Sequence, residues 1–233
     1  LILEHGNVVE SHNFRLTNSI HTSAAGALRA MSVTEADEIV VLDVTREKDR
    51  DTFYAAFSDI GNLAFCPIAV GGWVDSEEEA VKLFGMGAEK VVLNTVLRDN
   101  PQVVRTIAQR YGAQAVVASI DIRKGRWMVD RGRRDAGDLD DAIEAAADCG
   151  EVLLTDIDHE GTSKGYNLAL IREVACMVSV PLIAFGGVSE WRHMLDGLEA
   201  GADAVAAANV LHYSEGSVRS AKTWLKKMGA NIR

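Results

Sequence analysis

PIAVGGWVDSEEEAVKLFGMGAEKVVLNTVL, residues 67–97, has a counterpart in PLIAFGGVSEWRHMLDGLEAGADAVAAANVL, residues 181–211. Each stretch holds a proline, a short apolar run, a Gly-Gly, an amphipathic helical segment, a Gly-Ala-acidic turn and a second apolar run with a small polar pair near its end. That is a strand–loop–helix–strand unit used twice, and internal repetition limits the choice of fold more than local propensity does. A Gly-Gly lets a ligand approach the main chain, and N–H groups at the next helix start favour negative charge. Taken alone, a Gly-Gly is as readily a tight turn. Its recurrence at equivalent places, each followed one strand later by Asn94-Thr95 or Ala208-Asn209, favours an anion such as phosphate at both.

Working outward, apolar runs alternate with helical patterns along the chain. EIVVLDV (38–44), PIAVGG (67–72), KVVLNT (90–95), AVVASIDI (115–122), EVLLTDID (151–158), PLIAFGG (181–187) and AVAAANVL (204–211) read as strands. Helices are expected near 48–61, 75–86, 99–111, 138–148, 167–178, 189–200 and 215–228. The runs are short, β-rich and apolar on both faces, as parallel strands buried between helices should be. Leu1-Ile2-Leu3 reads as the end of an eighth strand whose front is missing, with a helix near 23–35 after it. Eight such units without a composition break make residues 1–233 a single α/β domain, a (β/α)8 TIM barrel with a two-fold half-barrel repeat. A doubly wound open sheet is the alternative; the repeated halves and the lack of an edge-like strand favour closure.

Hydrophobic content of 48% and charged content of 25% are ordinary for a globular protein. No run approaches the ~18 apolar residues of a membrane span, and LILEHGNVVES lacks the basic start and cleavage site of a signal peptide. Cys66, Cys149 and Cys176 are scattered and odd in number, which suits buried thiols of a cytoplasmic protein better than disulfides or a metal site. A net charge of −10 argues against nucleic acid as a partner.

Barrel chemistry sits at the carboxyl ends of the strands. Those ends carry Asp43 and Thr45, Gly71 and Gly72, Asn94 and Thr95, Asp121, Thr155 with Asp156 and Asp158, Gly186 and Gly187, and Ala208 with Asn209. Asp121 closes an otherwise apolar strand and suits a general acid or base; an ion pair with Arg123 or Lys124 is the structural alternative. DIDHEGTSKGY (156–166) has the composition of a polar, glycine-hinged loop whose Gly161 and Thr162 can offer donors to a phosphate. Asp156 and Asp158 look like a metal pair but lack a third ligand nearby; His159 reads as a solvated loop residue, and His212-Tyr213 as packing or site. At the opposite rim, Glu38, Lys90 and Glu151 each start an apolar strand. Solvent-facing charges are the simpler reading, a salt-linked ring closing the axial hole the other.

In ADEIVVLDVT, AVGG, GAEKVVLNTVLRDNP, VVASIDI, GEVLLTDIDHEGTSKGY, PLIAFGG and AAANVLHYSE, ending in GANIR, the chain resembles the cyclase subunit of imidazole glycerol phosphate synthase along nearly its whole length. The resemblance implies a barrel that takes ammonia from a class I glutaminase subunit docked at its bottom. The ammonia passes up the axis and joins a bis-phosphorylated ribonucleotide, with no cofactor or metal. It further implies that Asp121 is one of two catalytic aspartates, and that Asp43, Thr45 and Thr155 lie near the substrate. Asn94 and Thr95, next to Gly72, fall on one phosphate site; Gly161, Gly187, Ala208 and Asn209 fall on the other. Glu38, Lys90 and Glu151 fall on the ammonia gate, which reverses the simpler reading of those three.

The departures are specific. Ile2 stands where the family has its other catalytic aspartate, Glu10 where it has a substrate-binding lysine, Trp73 where it has a third glycine, and Phe185 where it has a serine. They point to a paralogue that keeps ammonia delivery and serves amidation of a surface-polysaccharide sugar with a separate amidotransferase. Two alternatives stay open: an authentic histidine-pathway cyclase, or a non-catalytic ammonia conduit. The anion site of the N-terminal copy is expected to be weakened or repurposed, and that of the C-terminal copy to be intact.

Overall fold

A computed structural model describes residues 1–30, 35–213 and 218–232. Eight parallel strands follow one another in chain order: β1 (Ile2–Glu4), β4 (Ile39–Asp43), β5 (Ile68–Gly71), β6 (Lys90–Leu93), β7 (Val116–Arg123), β10 (Glu151–Asp156), β11 (Leu182–Phe185) and β12 (Ala204–Ala206). Two antiparallel hairpins are added at the carboxyl ends of strands. One, β2 (Asn7–His12) with β3 (Arg15–His21), follows β1; the other, β8 (Arg126–Val129) with β9 (Arg134–Gly137), continues β7. The sequence reading places the parallel strands and misses both hairpins.

Helices α1 (Ala24–Ala30), α2 (Arg50–Gly61), α3 (Glu77–Gly85), α5 (Pro101–Tyr111), α6 (Leu139–Ala145), α7 (Leu168–Met177), α8 (Trp191–Glu199) and α10 (Val218–Lys227) run between the strands. The short α4 (Thr95–Asp99) and α9 (Asn209–Tyr213) were not anticipated. Helix starts are set locally. Asp49, Ser76 and Asn167 each accept a backbone N–H of the first turn of α2, α3 and α7, and Asp138 forms a reciprocal capping box with Asp141 on α6. Pro101 opens α5, where its missing N–H costs nothing.

Residues alternate between the two faces of each strand. Val41, Val70, Val91, Val116, Ile120, Leu154 and Leu182 join the large core shared with the helices. Their neighbours Ala69, Val92, Val117 and Leu153 form a second cluster, packed by Val40, Leu42, Ile183 and Phe185. A cluster drawing on six successive strands requires the sheet to be curled around it, which makes it the barrel interior. The same alternation places Glu38, Lys90 and Glu151 on the interior face at the amino end, and Asn94, Asp121, Thr155 and Phe185 there at the carboxyl end. Three layers result, charged below, apolar in the middle and polar above.

Leu153 sits in the middle layer at 2% exposure. Leu153→Ala is expected to lower unfolding stability by about 2–5 kcal/mol in urea denaturation. A loss well below that range would mean the interior is not close-packed.

Candidate functional site

Asp121 is held at the mouth by β7. Asn94 donates its Nδ2 to Asp121 Oδ2 at 3.1 Å and to the Ser119 carbonyl at 2.9 Å, and Ser119 Oγ lies 3.4 Å from Asp121 Oδ1. Burial pushes the Asp121 carboxyl up to about 7; hydrogen bonds from Ser119 and Thr155 oppose the rise, and the charge of Glu160 adds to it. Thr155, buried, is its register partner on β10. No direct ion pair with Asp121 forms among the described residues. Arg123 donates to the carbonyls of Gly132 at 2.6 Å and Asn13 at 3.3 Å, and the Lys124 N–H to Asp158 at 2.9 Å.

On the C-terminal side, Gly161, Gly186, Gly187, Ala208 and Asn209 line one cavity, together with Glu160 and Ser163. Three of these glycines have positive φ (+73°, +102° and +85°), and a Cβ on Gly161 or Gly187 would run into the carbonyl of Ser11 or Gly165. Only glycine allows the loops to come this close. Thr162 is turned away: its hydroxyl donates to the His159 carbonyl at 2.7 Å, and Ser163 takes the place expected for it. The cavity adjoins a cleft of about 530 Å³ beneath the β2–β3 hairpin, lined among others by Glu10, Ser11, His12, Thr17 and Asn209.

The N-terminal copy differs. The Thr95 hydroxyl accepts the Asp130 N–H at 3.0 Å, and the Gly72 carbonyl accepts Arg50 Nη1 at 3.0 Å. Asp43 does not share the interior face with Leu42. Its register partner Leu3 belongs to the outer core, its Oδ1 accepts the Thr45 N–H at 3.0 Å, and Arg50 stands 3.6 Å from its Oδ2. Burial raises its pKa. Thr45 accepts the His5 N–H at its hydroxyl and the Trp73 indole N–H at its carbonyl, both at 2.9 Å. Both residues therefore build the wall behind the mouth.

At the amino end, Lys90 Nζ donates to Glu38 at 2.6 Å and to both oxygens of Glu151 at 2.7 and 2.8 Å, so the three charges form one cluster. Burial alone would lower the Lys90 pKa, but the two carboxylates hold it above its usual value. One ammonium between two carboxylates leaves a negative charge over. Burial raises the Glu38 pKa, Lys90 opposes the rise, and the charges of Glu151 and Glu89 add to it.

The loop after β10 corrects one expectation. The Asp156 carboxylate is engaged within the loop: it accepts the Asp158 N–H at 2.8 Å and Asn167 Nδ2 at 2.6 Å and meets His159 Nδ1 at 2.9 Å. His159 is thus paired, not merely solvated. Among the described residues no group of three or more His, Cys, Asp or Glu could hold a metal ion. The side chains of His212 and Tyr213, with residues 214–215 after them, lie outside the described residues.

The sequence reading missed Glu160. It is 3% exposed and accepts Ser11 Oγ at 2.7 Å and the Phe14 N–H at 2.9 Å, tying the hairpin to the loop. The only signal in the chain is an acidic residue before Gly161, because its partners lie far away in sequence.

With this geometry in place, a family model described as "Histidine biosynthesis protein" matches residues 1–217. The chain belongs to the histidine biosynthesis protein family. It is 38% identical over 237 residues to imidazole glycerol phosphate synthase subunit HisF of Pyrobaculum aerophilum, covering 98% of this chain and 93% of that protein. Within this family frame, Ile2 opens β1 and pairs in register with Leu42 on the interior face, so an apolar side chain stands level with the carboxyl end of β4. Glu10 is buried along β2 and faces the cleft. No helix among the described residues is long and apolar enough to cross a membrane.

A carboxyl whose pKa is higher in the folded than in the unfolded state binds its proton more tightly when native. Its stabilising contribution is therefore whole below about pH 4 and is lost as pH rises toward about 7. Asp121→Asn is expected to flatten the fall of stability across that window by up to about 1.4 kcal/mol per pH unit, read by urea denaturation at several pH values. An unchanged slope would show that Asp121 ionises like a surface carboxyl.

Proposed function

We propose that the chain is the synthase subunit of an ammonia-using pair, acting on a phosphorylated acceptor held at the carboxyl end of the barrel. Asp121 carries this reading: a buried carboxyl at the mouth with its pKa near 7 can both accept and return a proton near neutral pH. It would take a proton from ammonia's nitrogen as that nitrogen bonds to carbon. The cavity lined by Gly161, Gly186, Gly187, Ala208 and Asn209 would hold a phosphate of the acceptor, with backbone N–H groups as donors.

Ammonia would enter at the opposite end. The Glu38–Lys90–Glu151 cluster closes the barrel bottom, where a class I glutaminase would dock, and the layer of Ala69, Val92, Val117 and Leu153 separates it from Asp121. An apolar passage suits neutral ammonia and excludes ammonium, since an unpaired ion loses its hydration there. The place of action would be the cytoplasm.

Of the two acceptors considered, the bis-phosphorylated ribonucleotide of histidine biosynthesis has the support of the comparisons, because the relative at 38% identity is an imidazole glycerol phosphate synthase subunit. The product formed would then be imidazole glycerol phosphate. A second reading, amidation of a surface-polysaccharide sugar, is favoured by one group of observations. Ile2, Phe185, Glu10 and Trp73 put apolar, acidic or bulky side chains where the family resemblance implies acid, hydroxyl, base or glycine.

Purified protein given ammonium salt and that ribonucleotide is expected to form the imidazole product, with Asp121→Asn slower by about 10²–10⁴-fold. Absence of product from the unaltered protein would overturn the histidine reading and favour the second. Lys90→Met is expected to abolish glutamine-driven turnover by the assembled pair while leaving ammonium-driven turnover within about threefold, on the order of 0.65 kcal/mol. Equal loss of both would remove the gate role.

A further inference from the structure

The two copies of the repeat place a different side chain after their Gly-Gly. In the C-terminal copy Val188 follows Gly186-Gly187 and lines an open cavity with Asn209. In the N-terminal copy Trp73 follows Gly71-Gly72 with φ +58°, a left-handed conformation that is strained for a non-glycine residue. Such strain persists only where surrounding contacts hold it, and two contacts reach Trp73 here. The Trp73 indole N–H donates to the Thr45 carbonyl at 2.9 Å. The Arg131 guanidinium lies over the indole, 4.6 Å from the ring centroid, and its Nη1 donates to the Val44 carbonyl at 3.2 Å. Next to Arg131, the Asp130 N–H donates to the Thr95 hydroxyl at 3.0 Å. Thr95 is the repeat equivalent of Asn209, and its partner Asn94 spends its amide N–H groups on Ser119 and Asp121.

We propose that Trp73 and the Asp130–Arg131 turn of the β8–β9 hairpin fill the N-terminal anion site, so that the barrel grips a single phosphate, in the C-terminal cavity. The Asn94 amide and the Thr95 hydroxyl, which would meet a second phosphate, are engaged within the protein, and the space beside Gly72 holds an indole under a guanidinium. An acceptor with one phosphate is then held as firmly as one with two, and a bisphosphate is gripped at one end only. Trp73 and Arg131 are specificity-determining residues on this account, without a part in proton transfer. The inference rests on the assignment of a phosphate to the C-terminal cavity made above.

Equilibrium dialysis with radiolabelled inorganic phosphate tests it. The unaltered protein is expected to bind one equivalent, lost in Asn209→Asp, and Trp73→Gly combined with Arg131→Ala is expected to bind two. Two equivalents on the unaltered protein would overturn the inference and leave the C-terminal assignment standing. None, or one that survives Asn209→Asp, would overturn both. A double variant that folds and stays at one would show that Trp73 and Arg131 are not what fills the site. If the double variant does not fold, the count on the unaltered protein still decides.

Discussion

Period-two alternation in a parallel sheet curled on itself is the constraint on which the rest of this molecule depends. Every second residue of a strand must enter an interior too narrow to hold water freely, so each position along the strands becomes a layer of fixed character. Lys90, Val92 and Asn94 show it on one strand and its end: charge at the bottom, packing in the middle, a donor to Asp121 at the top. Glu151, Leu153 and Thr155 repeat the series on β10. A one-residue slip of either strand would bury the charges among helices and take Asn94 or Thr155 out of the mouth.

The two ends are built on opposite electrostatic principles. Below, Lys90 is saturated by two carboxylates, so the cluster is held by charge and its parts have fixed mates. Above, Asp121 has hydrogen-bond partners but no counter-ion within bonding distance among the described residues, and burial dominates its proton affinity. The first arrangement fixes a structure, and the second leaves a proton free to move. The middle layer keeps them apart, since a charge of either sign would be costly there.

The parallel strands and the longer helices were legible because their signals are local: β-branched runs closed by Gly, and caps such as Asp49, Ser76 and Asp138. Asp121, the Gly-Gly pairs and the three rim charges were legible for the same reason, each marking the end of an apolar run. What could not be read were contacts between segments distant in the chain. The hairpin at 126–137 has no strand signal in the chain although its Trp127 is fully buried, and Thr162 looks like a donor until its hydroxyl is found bonded within its own loop. Asp43 ends an apolar run, as a mouth residue would, but lies on the face opposite to Leu42. Counting faces from Leu42 turns it outward, toward Arg50.

Glu160 has a consequence for the order in which the molecule takes shape. Its bond to Ser11 spans 149 residues, and the Asn13 N–H reaches the Glu160 carbonyl as well, at 2.9 Å. During synthesis the N-terminal half, with the charged cluster's Glu38 and Lys90, leaves the ribosome long before Glu160 exists. The hairpin at residues 7–21 must then wait, its polar groups in water, until most of the chain has emerged. Closing so long a loop is slow, and its reward arrives only with the loop after β10. The tie between the hairpin and the loop after β10 is therefore a long-range closure, unlike the pairing of strands that follow one another in the chain.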